Sequence, residues 1–169
     1  TIVWIERNVD GQIVRYQDVS QTEQSICVMN ADGSELRKLT NYRRKAMWPI
    51  NDRPLQWSPD SKKIIYSQED NITRYDDIFI LDVASGKSTN LTNSPDYCDG
   101  DFSWSPDAKG IVFTSGNITL DYGTFIYGVY IMDADGRNVV KVGDAITQPS
   151  WLPNGKGIIA VRKVADKVW

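Results

Sequence analysis

The stretch Asp96-Tyr97-Cys98-Asp99-Gly100-Asp101 is the best candidate for coordination chemistry in this chain. Carboxylates at short spacing around a glycine can wrap Ca²⁺, which takes six to eight oxygen ligands. Asp96, Asp99 and Asp101 are the candidate ligands, with Asn93 nearby and Asp76-Asp77 placed to add oxygens from a neighbouring unit. The run lacks the spacing of a calcium loop and its terminal bidentate Glu, so solvated loop charge is the competing reading. No other cofactor is indicated. The chain contains no His, which removes Ser-His-Asp and Cys-His catalysis and His-ligated zinc from these residues. Its Ser, Cys and Lys side chains have no recognisable activating partner, so the expectation is a non-enzyme. A catalytic domain elsewhere in a parent protein stays open.

Arg43-Arg44-Lys45, followed by Met47-Trp48, is the one basic cluster. It suits an acidic partner or a charged glycan, against the simpler reading of a solvated loop tip. A net charge of −3 gives no electrostatic reason to expect a nucleic-acid partner. Asn71-Ile72-Thr73, Asn90-Leu91-Thr92 and Asn117-Ile118-Thr119 are glycosylation sequons, relevant only to a suitably secreted protein. No apolar run approaches the length of a membrane span. No signal peptide or polybasic tail is legible, and the chain opens inside a strand pattern, as it would after removal of a targeting segment. Cys27 occupies a slot filled elsewhere by Phe79 and Tyr130, which points to buried packing, whereas Cys98 reads as a loop residue. Their spacing suggests no disulfide framework.

The elements that must position these residues are set by an internal repeat. Trp57-Ser58-Pro59-Asp60-Ser61-Lys62, Trp104-Ser105-Pro106-Asp107-Ala108-Lys109 and Trp151-Leu152-Pro153-Asn154-Gly155-Lys156 are spaced by 47 residues. In each, the Trp ends a strand, the Pro presets φ for a turn, and the Asp or Asn can bond its own backbone. Gly155 tolerates positive φ best, so the turns with Ser61 and Ala108 in its place are expected to be slightly strained or of another type. A β-branched or aromatic run follows each turn: Ile64–Tyr66, Ile111–Phe113 and Ile158–Val161. Further on, Ile26–Asn30, Ile78–Asp82 and Val129–Asp133 each run into a turn with Asp and Gly, then a short strand. One repeat thus holds four short strands: a first ending at the Trp, then a second, third and fourth.

Four antiparallel strands per repeat of this length is what a β-propeller blade needs. Trp-Ser-Pro-Asp-x-Lys, then Ile-x-Phe/Tyr, then Ile-Tyr-x-Met-Asp-x-x-Gly, then Leu-Thr, resembles the WD40-like (PD40) repeat of TolB-type β-propellers, and it covers nearly the whole chain. The expected fold class is all-β, a β-propeller with about three of its six to eight blades present. The expected divisions are a partial blade at 1–40, blades at 54–92 and 101–143, and a partial blade at 148–169. Thr1–Glu6 reads as a second strand, which makes thirteen strands, a number that four-stranded blades cannot share out. The chain therefore reads as part of a larger propeller whose remaining blades are among its partners.

Up-and-down alternation puts the first-to-second and third-to-fourth turns on one side of the disc. The other side receives every long insertion: Arg7–Ser25, Asn41–Arg53, Gln68–Asp77, Asn93–Gly100 and Ser115–Gly128. Six of the eight tyrosines lie in these insertions, with Trp48 and Phe125. Aromatic rings give large contact area at low entropic cost, although loop rings also pack their own loops. Arg43, Arg44, Trp48, Tyr75, Tyr97, Tyr122 and Phe125 are the candidate partner-binding residues. The resemblance implies an extracytoplasmic, bacterial setting, in the periplasm or at the cell surface. The expected function is a scaffold that binds a protein, with a glycan as alternative ligand. The runner-up is the substrate-gating propeller of a larger serine peptidase or hydrolase.

Overall fold

The computed structural model describes residues 2–8, 11–17, 23–43, 55–70, 72–73, 75–118, 125–144 and 146–162. They form antiparallel sheets and no helix. The first sheet holds β1 (Ile2–Asn8), β2 (Gly11–Gln17), β3 (Glu23–Met29) and β4 (Arg37–Arg43). The second holds β5 (Leu55–Trp57), β6 (Lys63–Glu69), β7 (Asp76–Asp82) and β8 (Ser88–Asn90). The third holds β9 (Cys98–Trp104), β10 (Gly110–Ile118), β11 (Phe125–Asp133) and β12 (Val140–Asp144), and β13 (Ile146–Trp151) pairs with β14 (Ile158–Arg162). Each four-stranded sheet is a meander in chain order, the arrangement of a propeller blade. No helix among the described residues is long and apolar enough to cross a membrane.

Fourteen strands are described, one more than expected. The stretch read as a second strand is β1, which takes the outer place beside β2. β2 itself lies within the expected loop Arg7–Ser25 and pairs on both sides, Ile13 with Glu6 and with Val28. Ile13, Val14 and Tyr16 have the β-branched and aromatic character that a pleated ladder favours. The other four expected loops are also partly strand, Asn41–Arg53 through the end of β4 and Asn93–Gly100 through the start of β9. The β10–β11 ladder continues from Ser115↔Gly128 to Ile118↔Phe125, and β6 pairs with β7 as far as Glu69↔Asp76. Cys98 begins β9 rather than lying in a loop, and Cys27 is buried; neither is in a disulfide.

The core lies between blades, because the second blade is apolar on both faces. Ile64, Tyr66 and Leu81 of the second blade pack with Ile26 and Leu39 of the first. Ile65, Ile78 and Ile80 on its other face pack with Phe102, Trp104, Ile111, Phe113 and Met132 of the third. Consecutive residues of β6 therefore enter two different cores, as period-two alternation requires. The repeat tryptophans sit opposite the first apolar residue of the next strand, in the pairs Trp57↔Ile64, Trp104↔Ile111 and Trp151↔Ile158. Their buried indole N–H groups have no hydrogen-bond partner, so the rings act by packing.

The Ser-Pro-Asp turns are of one type. Ser61, Ala108 and Gly155 have φ of 59°, 59° and 68°, and their amides donate to the carbonyls of Ser58, Ser105 and Leu152. Two copies thus hold a non-glycine residue in left-handed geometry, at a cost of about 1–2 kcal/mol each, and the side chains around them supply the compensation. Ser105 Oγ donates to Asp107 Oδ1 (2.6 Å) and accepts from the Gly110 amide (2.8 Å). Ser58 does the same with Asp60 (2.6 Å) and the Lys63 amide (2.9 Å).

Candidate functional site

The acidic residues singled out in the sequence part company in the fold. Asp96 is exposed in the turn before β9. Asp101 is also exposed, at φ 42°, and its Oδ2 accepts from the Gln148 amide of β13 (3.3 Å). Asp99 is 1% exposed. Among the described residues no group of three or more His, Cys, Asp or Glu side chains converges as a metal site, so the three-aspartate calcium loop does not form. In a regular strand Asp99 and Asp101 would share a face; the bulge in β9, where Asp101 takes φ 42° and the pairing with β10 shifts, breaks that alternation.

Asp99 instead meets Asp77, at the start of β7, across the junction of the second and third blades. Asp77 is 5% exposed and firmly held. Asn90 Nδ2 donates to its Oδ2 (2.7 Å), while the Ser94 amide (2.9 Å) and Thr92 Oγ1 (3.4 Å) donate to its Oδ1. The loop after β8 is wound to make this possible. Asn90 Oδ1 accepts from the Thr92 and Asn93 amides (3.2 and 3.0 Å), and Asn93 takes φ 46°. Thr92 Oγ1 also accepts from the Ile78 amide (3.1 Å).

Asp99 has no such support: neither carboxylate oxygen has a hydrogen-bond partner of good geometry. Burial pushes its carboxyl up from the ordinary aspartate range, and the nearby Asp77 charge adds to this. The hydroxyls of Ser115, Thr92 and Ser94 around it act the other way without overcoming burial. The sequence pointed to Asp99 and to Asp77 as its supplement. The three hydroxyls were not legible, because they come from a loop and a strand of two different blades.

Tyr75 is half-buried, and Tyr97 is 47% exposed beside the blade junction. The side chains of Arg43 and Phe125, and the whole of Arg44, Trp48 and Tyr122, lie outside the described residues. Half-buried Tyr127 faces Cys98, Asp101 and Asp76, and burial first, then these negative groups, push its phenol up to about 12. A cleft of about 550 Å³ opens on the opposite side, lined by Ser105, Asp107, Lys109, Met132, Trp151 and Asn154 among others. Its Ser and Asp are committed to their own turn.

No family model matches the chain, and no curated protein matches it. Solved structures do. A TolB-like protein from Agrobacterium tumefaciens is 22% identical with a TM-score of 0.62, over 89% of this chain and 53% of that one. A puromycin hydrolase is 13% identical with a TM-score of 0.64, over 94% of this chain and 24% of that one. A prolyl endopeptidase is 13% identical with a TM-score of 0.59, over 93% of this chain and 25% of that one. The chain thus spans about half of the first and about a quarter of the other two. At these identities the likeness shows the fold, a β-propeller shared by TolB-like proteins and by peptidases.

Proposed function

We propose that this chain is a non-enzymatic β-propeller scaffold that binds a partner protein through the side carrying the second-to-third and fourth-to-first connections. The observation that carries this reading is a difference between the two sides. On one, three turns repeat the same backbone hydrogen bonds, as structural hardware would. On the other the copies diverge, and Tyr97 is exposed while Tyr75 is half-buried. Rigid aromatic rings on a propeller rim suit protein recognition. The likeness to a bacterial TolB-like fold supports a place in an envelope or surface assembly. A glycan is the alternative ligand for this side.

A photo-crosslinking residue placed at Tyr97 should trap a discrete protein in cells of the source organism, and one placed at Asn154 should not. Equal trapping at both positions, or none at Tyr97, would overturn the proposal. The second reading, a substrate-gating propeller of a serine peptidase or hydrolase, is favoured by the several peptidases that share the fold. A Gly-x-Ser-x-Gly elbow in the same reading frame would decide for it.

A further inference from the structure

We propose that Asp77 and Asp99, with the hydroxyls of Thr92, Ser94 and Ser115, hold a Ca²⁺ ion in the junction between the second and third blades. Two carboxylates in one water-poor place repel each other, and such a pair is stable only if a proton or a cation lies between them. Asp77 Oδ1 accepts from Thr92 and the Ser94 amide, and its Oδ2 from Asn90 alone. Asp99 is 1% exposed, and both of its oxygens are left without a hydrogen-bond partner. The hydroxyls of Ser115, Thr92 and Ser94 surround it without making a hydrogen bond of good geometry.

The repeat supplies an independent argument. If the pair were blade hardware, it would recur at the other junctions. The position equivalent to Asp77 is Ser25 in the first blade and Gly128 in the third, and the position 47 residues after Asp99 is Ile146. Both carboxylates are absent from the third-blade junction, and only the middle one joins Asp99 to an acidic residue on the preceding blade. The pair is therefore dispensable for stacking blades.

The donors choose the ion. All are oxygens, which selects a hard cation. Asp99 offers two oxygens, the three hydroxyls three more, and Asp77 Oδ2, which accepts from Asn90 alone, a sixth, the lower end of the six to eight that Ca²⁺ takes. Two negative charges match a divalent ion. Mg²⁺ gives up its water reluctantly and needs near-ideal octahedral geometry, which a sealed site drawn from two blades does not suit. The ion would tie the β8–β9 loop and β10 together. This inference concerns the junction alone and does not rest on the partner-binding proposal.

The test uses the full chain, stripped with a chelator and titrated with CaCl₂ at constant ionic strength. Thermal unfolding should move up by about 5–10 °C once Ca²⁺ stands a hundredfold above its Kd. MgCl₂ should have a much smaller effect, and equilibrium dialysis should find one Ca²⁺ per chain at this affinity. Asp99→Asn should remove both the shift and the bound ion, whereas Asp96→Asn, in the exposed loop, should keep both. If Asp99→Asn does not fold, Tb³⁺ luminescence sensitised by tryptophan and displaced by Ca²⁺ reads the site in the unaltered chain. An unshifted melting temperature with no bound Ca²⁺ would overturn the proposal in favour of a shared proton. Binding that survives in Asp99→Asn and disappears in Asp96→Asn would overturn it in favour of a surface loop site.

Discussion

Ser105 is buried, and its single hydroxyl serves as both donor and acceptor within one turn. Ser105→Ala leaves the Gly110 amide and the Asp107 carboxylate short of a partner, so it should cost about 1–3 kcal/mol in urea unfolding. Leu152→Ala should cost less, because the third copy of the turn never had that hydroxyl and Leu152 is exposed. The same geometry sets a pH dependence. Asp60 and Asp107 are held below the usual carboxylate value, chiefly by the Ser58 and Ser105 hydroxyls. A carboxyl depressed on folding contributes stability above its unfolded pKa and loses it as pH falls through the folded one. Thermal stability should therefore drop below about pH 4, and an Asp60→Asn/Asp107→Asn variant should show a flatter profile there.

At the scale of the strand, equivalent residues differ in what covers them. Ile65 of β6 and Val112 of β10 are 0% exposed, while Ile159, the equivalent residue of β14, is 62% exposed. Ile65 packs against the third blade, and β10 is followed by the two-stranded unit, whereas Ile159 has no unit over it among the described residues. Ile65→Ala should cost about 2–5 kcal/mol. Ile159→Ala should stay within about 0.5 kcal/mol. Parallel denaturant titrations compare the two. Similar losses at both sites would mean that β14 is covered in solution.

Over the whole molecule, blades that bury both faces form an array in which each unit depends on its neighbours. Val140, Val142, Ile159 and Val161 are exposed on strands of the third blade and of the two-stranded unit. Apolar strand surface of this kind drives association. Light scattering coupled to size-exclusion chromatography should find the 169-residue chain self-associating. An Ile159→Lys/Val161→Glu variant should shift it toward the monomer. A cooperatively folding monomer from the unaltered chain would argue against open faces.

Local rules sufficed for much of this architecture. The Trp-Ser-Pro-Asp spacing marks each turn, the β-branched runs mark the strands, and their recurrence implies blades, because these signals lie within a few residues of one another. Gly11–Gln17 escaped notice because it has no such turn before it, and the strand ends at Ile118 and Phe125 because pairing partners extend a ladder that composition alone leaves ambiguous. Asp99 was legible as an acidic residue in a run with Asp96 and Asp101. Only the tertiary structure separated it from them, buried it, and set it against Asp77 on the preceding blade. Burial and charge proximity belong to the packing of one blade on another, and no spacing along the chain contains them.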